Sequence, residues 1–346
     1  MIEYLSVRER SEEREALLSP FSQKSASSKG RANPESPDPV RTAYQRDRDR
    51  ILHTNAFRRL KHKTQVFIAP LGDHYVTRLT HTLEVSQLSR TIARALQLNE
   101  DLVEAISLGH DLGHTPFGHT GEEELNELFQ VGFRHNEQSL RVVDILEKDG
   151  RGLNLTWEVR EGILHHSKTE DSIFGTGKGV PATYEAEIVK IADAIAYINH
   201  DIGDAIRADI LSEGELPADS TSVLGHTRTE RINTMITDII SCSWPVTGLV
   251  KVENKPSIHM SRRVGEATEA LRRFMFQRVY KPLGEEESAR EARRVVRALF
   301  SYLIEHQDLL PPEYKAFCDD PGRRVVDYIA GMTDQYALGL ATRLGL

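Results

Sequence analysis

Apolar residues recur at steps of three or four positions along most of this 346-residue chain, and this spacing constrains its fold more than any other feature. Val85, Leu88, Ile92 and Leu96 are one example. Alternating patterns that would indicate strands are scarce, so the sequence predicts an all-α fold. We expect helices at residues 79–98, 99–108, 121–129, 136–146, 157–166, 185–207, 262–280, 290–306 and 325–344, with less regular chain from 208 to 255.

The composition limits where such a chain can work. Hydrophobic residues make up 39% of the sequence, and no run of eighteen apolar residues occurs, so we expect no membrane-spanning helix. The first twenty residues are charged and contain no apolar stretch of the kind found in secretory signals. The two cysteines are far apart in sequence, which argues against a disulfide framework. These features predict a cytoplasmic protein with no membrane partner.

Three regions differ in character along the chain. Residues 1–40 form an N-terminal segment, and its stretch 20–39 is so rich in Ser, Pro and Lys that we expect it to be flexible. Residues 41–210 are expected to form a helical core. Residues 211–346 are expected to add C-terminal helices that complete the fold and supply contacts between subunits.

A basic block at residues 41–63 stands out because the formal net charge of the chain is −8. The acidic total argues against general coating of nucleic acid, whereas a local basic cluster suits a phosphate-bearing ligand. A solvated helix face on which arginines pair with aspartates explains the block equally well. The block contains Arg41, Arg46, Arg48, Arg50, Arg58, Arg59, Lys61 and Lys63 against Asp47 and Asp49.

The segment HDLGHTPFGH, residues 110–119, carries the clearest chemical signal. His110 and Asp111 fall where a helix should end, so the backbone can turn both side chains toward one target. His114 and His119 follow within the same segment. Imidazole nitrogen with carboxylate oxygen is a ligand set that Mn, Fe, Co, Ni or Zn accepts. The segment therefore predicts a metal site, although it does not identify the reaction.

The predicted helix at 185–207 carries a second polar pattern. Asp193, Tyr197, His200 and Asp201 fall on one face, which also bears apolar residues in the preceding turns. A metal would satisfy Asp193, and a hydroxylated ligand would suit Tyr197 and Asp201. A network of Asp, His and Arg exposed to water explains the pattern as well.

Five ordered stretches resemble one family closely. They are DRDRILHTNAFRRLKHKTQVF, THTLEVSQLSRTIA, HDLGHTPFGHTGEE, FRHNEQSLRVV and EAEIVKIADAIAYINHDIGDA. Together they resemble the dGTPase-like deoxynucleotide triphosphohydrolases, which belong to the HD-domain phosphohydrolases. The resemblance is strong over residues 40–210 and weaker toward the C-terminus. It implies an all-α fold, with an HD-domain helical core and additional C-terminal helices.

The resemblance also assigns roles to individual residues. His81, His110, Asp111 and Asp193 match the metal ligands of the family. His119 and Glu122 match its acid/base pair, and His114 matches a second histidine that contacts phosphate or protonates the leaving oxygen. The sequence leaves open which of His114 and His119 is the general acid. The expected substrate-binding residues are Arg59, Lys61 and Arg78 for the phosphates, Gln65, Tyr197 and Asp201 for the sugar, and His135 and Asn136 in less defined roles.

The activity implied by the resemblance is hydrolysis of a dNTP to a deoxynucleoside and inorganic triphosphate, with Mn, Mg, Co or Fe as the divalent metal. A homo-oligomer, with a hexamer favoured, is expected from the same source. A second dNTP acting as effector and single-stranded DNA are further candidate partners. Two alternatives stay open: an HD phosphodiesterase acting on dinucleotides, with His165 and His166 binding a second metal, and a non-catalytic nucleotide sensor or single-strand binder that uses the basic block.

Overall fold

A computed structural model describes residues 6–67, 75–167 and 180–346. Its α-helices, in chain order, are α1 (Val7–Glu15), α2 (Ala43–Leu52), α3 (Asn55–Arg59), α4 (Arg78–Ala95), α5 (Glu100–Gly109), α6 (Gly118–Leu128), α7 (His135–Arg141), α8 (Glu147–Gly150), α9 (Trp157–His165), α10 (Tyr184–Arg207), α11 (Ala218–Leu224), α12 (Arg228–Cys242), α13 (Arg262–Met275), α14 (Lys281–Gly284), α15 (Glu287–Glu305), α16 (Pro312–Phe317), α17 (Pro321–Ala330) and α18 (Asp334–Leu344).

The all-α prediction is confirmed. Within the described ranges the only β-type pairings are isolated bridges, Arg31 with Thr156 and Thr64 with Thr77. None of the described helices combines the length and the apolar character that crossing a membrane requires. The chain divides into two compact units. The first unit comprises Met1–Leu52, Leu83–Leu108 and Asn154–Met275, and the second comprises His53–Thr82, Gly109–Leu153 and Phe276–Leu346.

Three expected element boundaries were wrong. The region 208–255 is not irregular, since it contains α11 and α12, and Thr227 with Glu230 forms a capping box at the start of α12. The expected helix at 325–344 is two helices, because α17 ends at Ala330 and Thr333 caps α18. Helix α6 begins at Gly118 rather than at residue 121.

Helix α10 is the central element of the first unit. It is buried over most of its length, including its polar residue Glu185. Glu185 accepts hydrogen bonds from the Ser22 hydroxyl (2.9 Å), the Gln23 N–H (3.0 Å) and the Asn99 N–H (3.1 Å). Ser22 and Gln23, at the start of the stretch 20–39, thus bind a carboxylate that needs buried partners, and the flexibility of that stretch stays a prediction.

A buried ion pair anchors the same N-terminal segment further along. Arg31 forms an ion pair with Asp47, whose carboxylate also accepts from the hydroxyl of Thr156 at 2.6 Å and from its N–H at 2.8 Å. Asp47 is fully buried, and burial raises its pKa although the charge of Arg31 opposes that effect. The segment is thus tied to α2 and to the start of α9.

Replacing Arg31 by alanine is expected to lower the free energy of unfolding by about 3–5 kcal/mol at neutral pH, because it leaves the Asp47 carboxylate buried without its counter-charge. The loss should shrink as the pH falls, since protonation removes that charge. Chemical denaturation measures the effect. The exposed Arg14→Ala is the control, with an expected change within about 0.5 kcal/mol. An Arg31→Ala protein as stable as this control would contradict the anchoring role.

The second unit has its own apolar core. Phe117, Leu125, Phe129 and Phe133 pack in one cluster with buried side chains of α15, α17 and α18. The C-terminal helices therefore form part of the core that carries Phe117, which lies inside the histidine-rich segment.

Candidate active site

The segment 110–119 begins directly after α5, which ends at Gly109, and its last two residues, Gly118 and His119, begin α6. The Ser139 hydroxyl donates to the His110 carbonyl (2.6 Å) and accepts the Gly113 N–H (2.9 Å), which fixes the turn after the helix. A Cβ on Gly113 would lie 2.2 Å from the backbone nitrogen of Ser139, so only glycine fits there. The prediction that His110 and Asp111 follow a helix end is confirmed.

His81, His110 and Asp111 form a buried cluster. One ligand atom of each lies within 4.8 Å of those of the other two. His81 Nε2 is 3.9 Å and His110 Nε2 is 3.4 Å from the Asp111 carboxylate. These donors, two imidazoles and a carboxylate, suit a divalent transition metal.

Arg78 supports this cluster from the first turn of α4. It donates to Asp111 Oδ2 at 3.0 Å. Burial alone would raise the pKa of Asp111, but the charges of His110, Arg78 and His81 outweigh it and hold that pKa well below its usual range. Asp111 is therefore ionised at neutral pH, which is the form that a metal requires.

Glu122 is the centre of a second cluster beside the first. Its carboxylate lies 2.8 Å from His135 Nδ1 and 3.3 Å from His119 Nδ1, and it accepts the His135 backbone N–H at 2.7 Å. The rings of His114 and His135 stack with centroids 4.0 Å apart. His114 Nε2 is 3.5 Å from Asp111, so His114 lies between the two clusters.

Three groups of the second cluster have shifted pKa values. Burial would raise the pKa of Glu122, but the charges and hydrogen bonds of His135 and His119 together outweigh burial and lower that pKa well below its usual value. Burial would lower the pKa of His135, but the charge and the hydrogen bond of Glu122 together outweigh burial. The pKa of His135 is therefore raised. Burial and the charge of Arg78 lower the pKa of His114. The structure thus favours a protonated His135, an ionised Glu122 and a neutral His114.

The expected substrate-binding residues of the second unit differ in exposure. Gln65 and Arg78 are buried, and the Gln65 carbonyl accepts from Arg78 at 3.4 Å. Asn136 follows His135 in the first turn of α7. Arg59 and Lys61 are exposed, and Arg59 donates to the Gly331 carbonyl at 3.2 Å. The structure brings Arg78 against the metal-ligand candidates, whereas Arg59 is held by a different contact.

The remaining expected site residues lie in the first unit, on α10. Asp193 and Tyr197 are half-buried, and burial together with the charge of Asp193 raises the pKa of Tyr197. His200 Nδ1 lies 2.7 Å from Asp201 Oδ1, and both side chains are buried. The alternative of a water-exposed Asp–His–Arg network is therefore wrong for this pair.

The alternative sites have local partners of their own. His165 Nδ1 lies 2.8 Å from Glu161, and His166 Nδ1 lies 2.7 Å from the Ile163 carbonyl, each within one turn of its own position. In the basic block, Arg41, Arg46 and Arg48 all pair with carboxylates of the first unit. For these arginines the interpretation as a paired helix face is the one that the structure supports.

Two buried charged residues contact the segment 110–119 and were not among the expected site residues. Lys63 donates to the His114 carbonyl, and Asp334 accepts the Phe117 N–H at 3.0 Å. Lys63 was included in the basic block, but charge counting cannot show that its ammonium is buried. Asp334 is more than two hundred positions from Phe117 in sequence, and only the capping pattern of Thr333 pointed to a helix start there.

Comparisons with known proteins identify the family. Residues 78–198 match the HD domain, and residues 258–343 match a phosphohydrolase-associated domain. A deoxyguanosinetriphosphate triphosphohydrolase-like protein of Caldanaerobacter subterraneus subsp. tengcongensis is 55% identical over 96% of this chain and 94% of its own length. A protein of the same name from Desulfatibacillum aliphaticivorans is 47% identical over 96% of each chain. Among solved structures, a hypothetical protein from Aquifex aeolicus is 21% identical with a TM-score of 0.46, over 86% of this chain and 67% of its own. Because it is 55% and 47% identical to these two named relatives over nearly its whole length, the chain belongs to the HD-domain family of deoxyguanosinetriphosphate triphosphohydrolase-like proteins.

Proposed function

We propose that this protein hydrolyses deoxynucleoside triphosphates, dGTP among them, to a deoxynucleoside and inorganic triphosphate. The observation that carries the proposal is the adjacency of two clusters in the second unit. One supplies metal-type ligands, His81, His110 and Asp111, and the other supplies a Glu122-linked set of histidines for proton transfer. The names of the relatives, deoxyguanosinetriphosphate triphosphohydrolase-like proteins, support dGTP as a substrate.

The donor set fits a divalent metal, and Mn, Mg, Co or Fe are the candidates. His81, His110 and Asp111 would hold it, and Asp193 of α10 is proposed as the fourth ligand. A bound divalent metal supplies Lewis-acid stabilisation of phosphate charge and activation of water at neutral pH. Arg78 keeps Asp111 ionised and oriented through its 3.0 Å hydrogen bond, which prepares the ligand before substrate arrives.

The histidines of the second cluster have different proposed roles in proton transfer and in charge balance. The lowered pKa of His114 disfavours its protonated form, so we assign proton donation to the leaving 5′-oxygen to His119, whose Nδ1 faces Glu122. Glu122 orients both His119 and His135. The protonated His135 and the guanidinium of Arg78 would balance the phosphate charge, with Arg59 and Lys61 as proposed contacts further out and Asn136 as a further polar contact.

We assign recognition of the deoxyribose to Gln65, Tyr197 and Asp201. A tyrosine ring packed beneath C2′ would leave no space for a 2′-hydroxyl, and the Asp201 carboxylate would accept from the 3′-hydroxyl. His200, 2.7 Å from Asp201, would hold that carboxylate in place.

Replacing Tyr197 by alanine is expected to raise the ratio of ribonucleotide to deoxyribonucleotide hydrolysis about tenfold or more, because it removes the ring that excludes the 2′-hydroxyl. The ratio of kcat/KM for GTP and dGTP measures the effect. Tyr184→Phe, on the same helix, is the matched control. An unchanged ratio in Tyr197→Ala would reject the sugar-recognition role without affecting the metal assignment.

The decisive experiment for the proposed reaction separates products by chromatography after incubation of each dNTP with Mg, Mn, Co or Fe. Deoxynucleoside with tripolyphosphate supports the proposal, whereas deoxynucleoside monophosphate with pyrophosphate, or no turnover with any metal, overturns it. Each reaction is repeated with a second dNTP present, because an effector nucleotide is one of the expected partners.

The phosphodiesterase alternative is tested in the same assay with cyclic and linear dinucleotides. His165→Gln removes one of its two proposed additional ligands. If the dNTP reaction is the real one, this variant keeps dNTP turnover and the wild type leaves dinucleotides intact. Tight binding of a dNTP or an oligonucleotide without turnover would favour the sensor alternative instead.

We further propose a cytoplasmic homo-oligomer, with a hexamer favoured, and single-stranded DNA as a candidate partner. The oligomer is proposed from the family resemblance, the cytoplasmic location from the composition, and the DNA from the basic block at residues 41–63. Light scattering of the purified chain with and without dNTP tests the assembly, and titration with a labelled oligonucleotide tests the DNA.

A further inference from the structure

Two consecutive residues in the histidine-rich segment have left-handed backbone conformations. Phe117 has φ 62° and Gly118 has φ 57°. A phenylalanine in this region is strained and persists only where surrounding contacts hold it. The segment that carries His114 and His119 therefore depends on tertiary contacts for its shape.

The C-terminal helices provide these contacts through Asp334, the first residue of α18. Asp334 Oδ1 accepts the Phe117 N–H at 3.0 Å. Its other oxygen accepts from the Thr64 hydroxyl at 2.6 Å and from the Thr64 N–H at 3.2 Å. Thr64 precedes Gln65, whose carbonyl would lie 2.8 Å from a Cβ on Gly118. One buried carboxylate thus joins the strained turn to the segment that packs against it.

Lys63 makes a second connection between the same parts of the second unit. Its ammonium donates to the His114 carbonyl and, at 2.7 Å, to the carbonyl of Ala330, the last residue of α17. Lys63 is 2% exposed and Asp334 is 8% exposed. A buried charge is costly unless it is paired or hydrogen-bonded, so both residues constrain the groups that they contact. The Phe117 ring adds an apolar contact, because it lies in the core cluster that includes Val326 and Ala337.

We infer that Asp334 and Lys63 are positioning residues through which helices α17 and α18 hold His114 and His119 in register with Glu122. Asp334 fixes the turn at Phe117, two residues before His119, and Lys63 fixes the backbone of His114. His119 Nδ1 is 3.3 Å from Glu122, a distance that a small shift of the turn would lengthen beyond hydrogen bonding. This inference rests on the proposed function for its catalytic consequence, but the restraint on the loop is independent of that function.

The test compares Asp334→Ala with Thr333→Ala. Thr333 caps α18 by accepting the Tyr336 N–H, so this control weakens the same helix and leaves the Asp334 carboxylate in place. Asp334→Ala is expected to lower kcat for dGTP about 10–100-fold, with KM and metal content changed less than about threefold, because misplaced catalytic groups cost rate rather than binding. Asp334→Asn retains one accepting oxygen and should lose less.

Hydrogen exchange of residues 110–121 provides a readout that needs no activity. Asp334→Ala should accelerate exchange there, at the Phe117 amide above all, and Thr333→Ala should not. Equal exchange in the two variants, or equal kcat at the same folded fraction, would overturn the positioning role. If the wild type hydrolyses no dNTP, the exchange comparison still decides the inference, so its failure and that of the proposed function are distinguishable. Should Asp334→Ala not fold, Thr64→Val, which removes only the hydroxyl donor, is measured in the same way.

Discussion

Replacing Asp111 by asparagine is expected to reduce dNTP hydrolysis at least about a thousandfold, a loss of about 4 kcal/mol of transition-state stabilisation. Asp111 is the carboxylate of the proposed metal ligands, and it lies 3.4 Å from His110 and 3.0 Å from Arg78. A neutral amide cannot supply the negative charge that a divalent cation requires. The variant should therefore also lose bound metal. Product chromatography measures kcat, and elemental analysis of the purified protein measures metal per chain.

The fold must be checked beside the activity, because Asp111 also neutralises Arg78. Removing the carboxylate leaves a guanidinium that is 1% exposed without its partner, which costs about 3–5 kcal/mol. Asparagine keeps a hydrogen-bond acceptor for Arg78 and is a better probe than alanine. His110→Ala removes a ligand without unpairing Arg78, so it should abolish hydrolysis with less loss of stability.

A matched control separates loss of metal from loss of stability. Asp47 is a fully buried aspartate that also pairs with an arginine, in the first unit. Asp47→Asn should lose stability as Asp111→Asn does, yet keep its metal and its hydrolysis. An Asp111→Asn protein that retains more than about a tenth of wild-type kcat with full metal content would reject the assignment of Asp111.

The fold was predictable where its signals are local. Helical periodicity identified α4, α5, α10 and α15, and the helix end before His110 was recognised from sequence. The start of α12 also has a local signal, the capping box of Thr227 and Glu230, which apolar periodicity does not include. For the N-terminal segment, composition shows that apolar residues are few but does not reveal the distant partners of its polar groups. Its hydroxyls and amides bind carboxylates such as Glu158 and Glu185, which come more than a hundred positions later.

In the site, too, contacts between residues close in sequence were predictable and contacts between distant residues were not. The three-residue spacing of His119 and Glu122 suggested their pairing, and they lie 3.3 Å apart. The closer partner of Glu122 is His135, thirteen positions away on another helix, and no spacing rule identifies it. Asp334 is further still from the loop that it holds. Family resemblance supplied the residue roles, whereas the pKa relationships depend on burial and distance and required the structure.

Replacing Glu122 by glutamine is expected to lower kcat about 10²–10⁴-fold and to move the pH dependence of the reaction, because Glu122 orients His119 and raises the pKa of His135. In the variant the Glu122 carboxylate no longer raises the pKa of His135, whereas burial and the charge of Arg78 still lower it. As the pH is raised, the rate of the variant should therefore begin to fall at a lower pH than the rate of the wild type does. The measurement is kcat against pH for dGTP at saturating metal.

The same substitution has a defined effect on stability. The raised pKa of His135 contributes stability that is fully present below its unfolded value, near 6.5, and is lost as the pH rises through the folded pKa. The lowered pKa of Glu122 contributes stability that is present above its unfolded value, near 4.5, and is lost as the pH falls through the folded pKa. The stability difference between wild type and Glu122→Gln should thus be largest between these two values. Thermal unfolding across that range measures it.

Glu123→Gln is the matched control for both measurements. Glu123 is the next residue of α6, its side chain is exposed, and it pairs with Arg293 at 3.2 Å rather than with a histidine. It should change neither the rate profile nor the pH dependence of stability, since exposed ion pairs contribute little. If Glu122→Gln reproduced the Glu123→Gln profile, the histidines would titrate independently of Glu122, and the proton-transfer role would pass to groups outside this cluster. A shifted profile in Glu122→Gln alone would show that the carboxylate sets the protonation of the histidines around it.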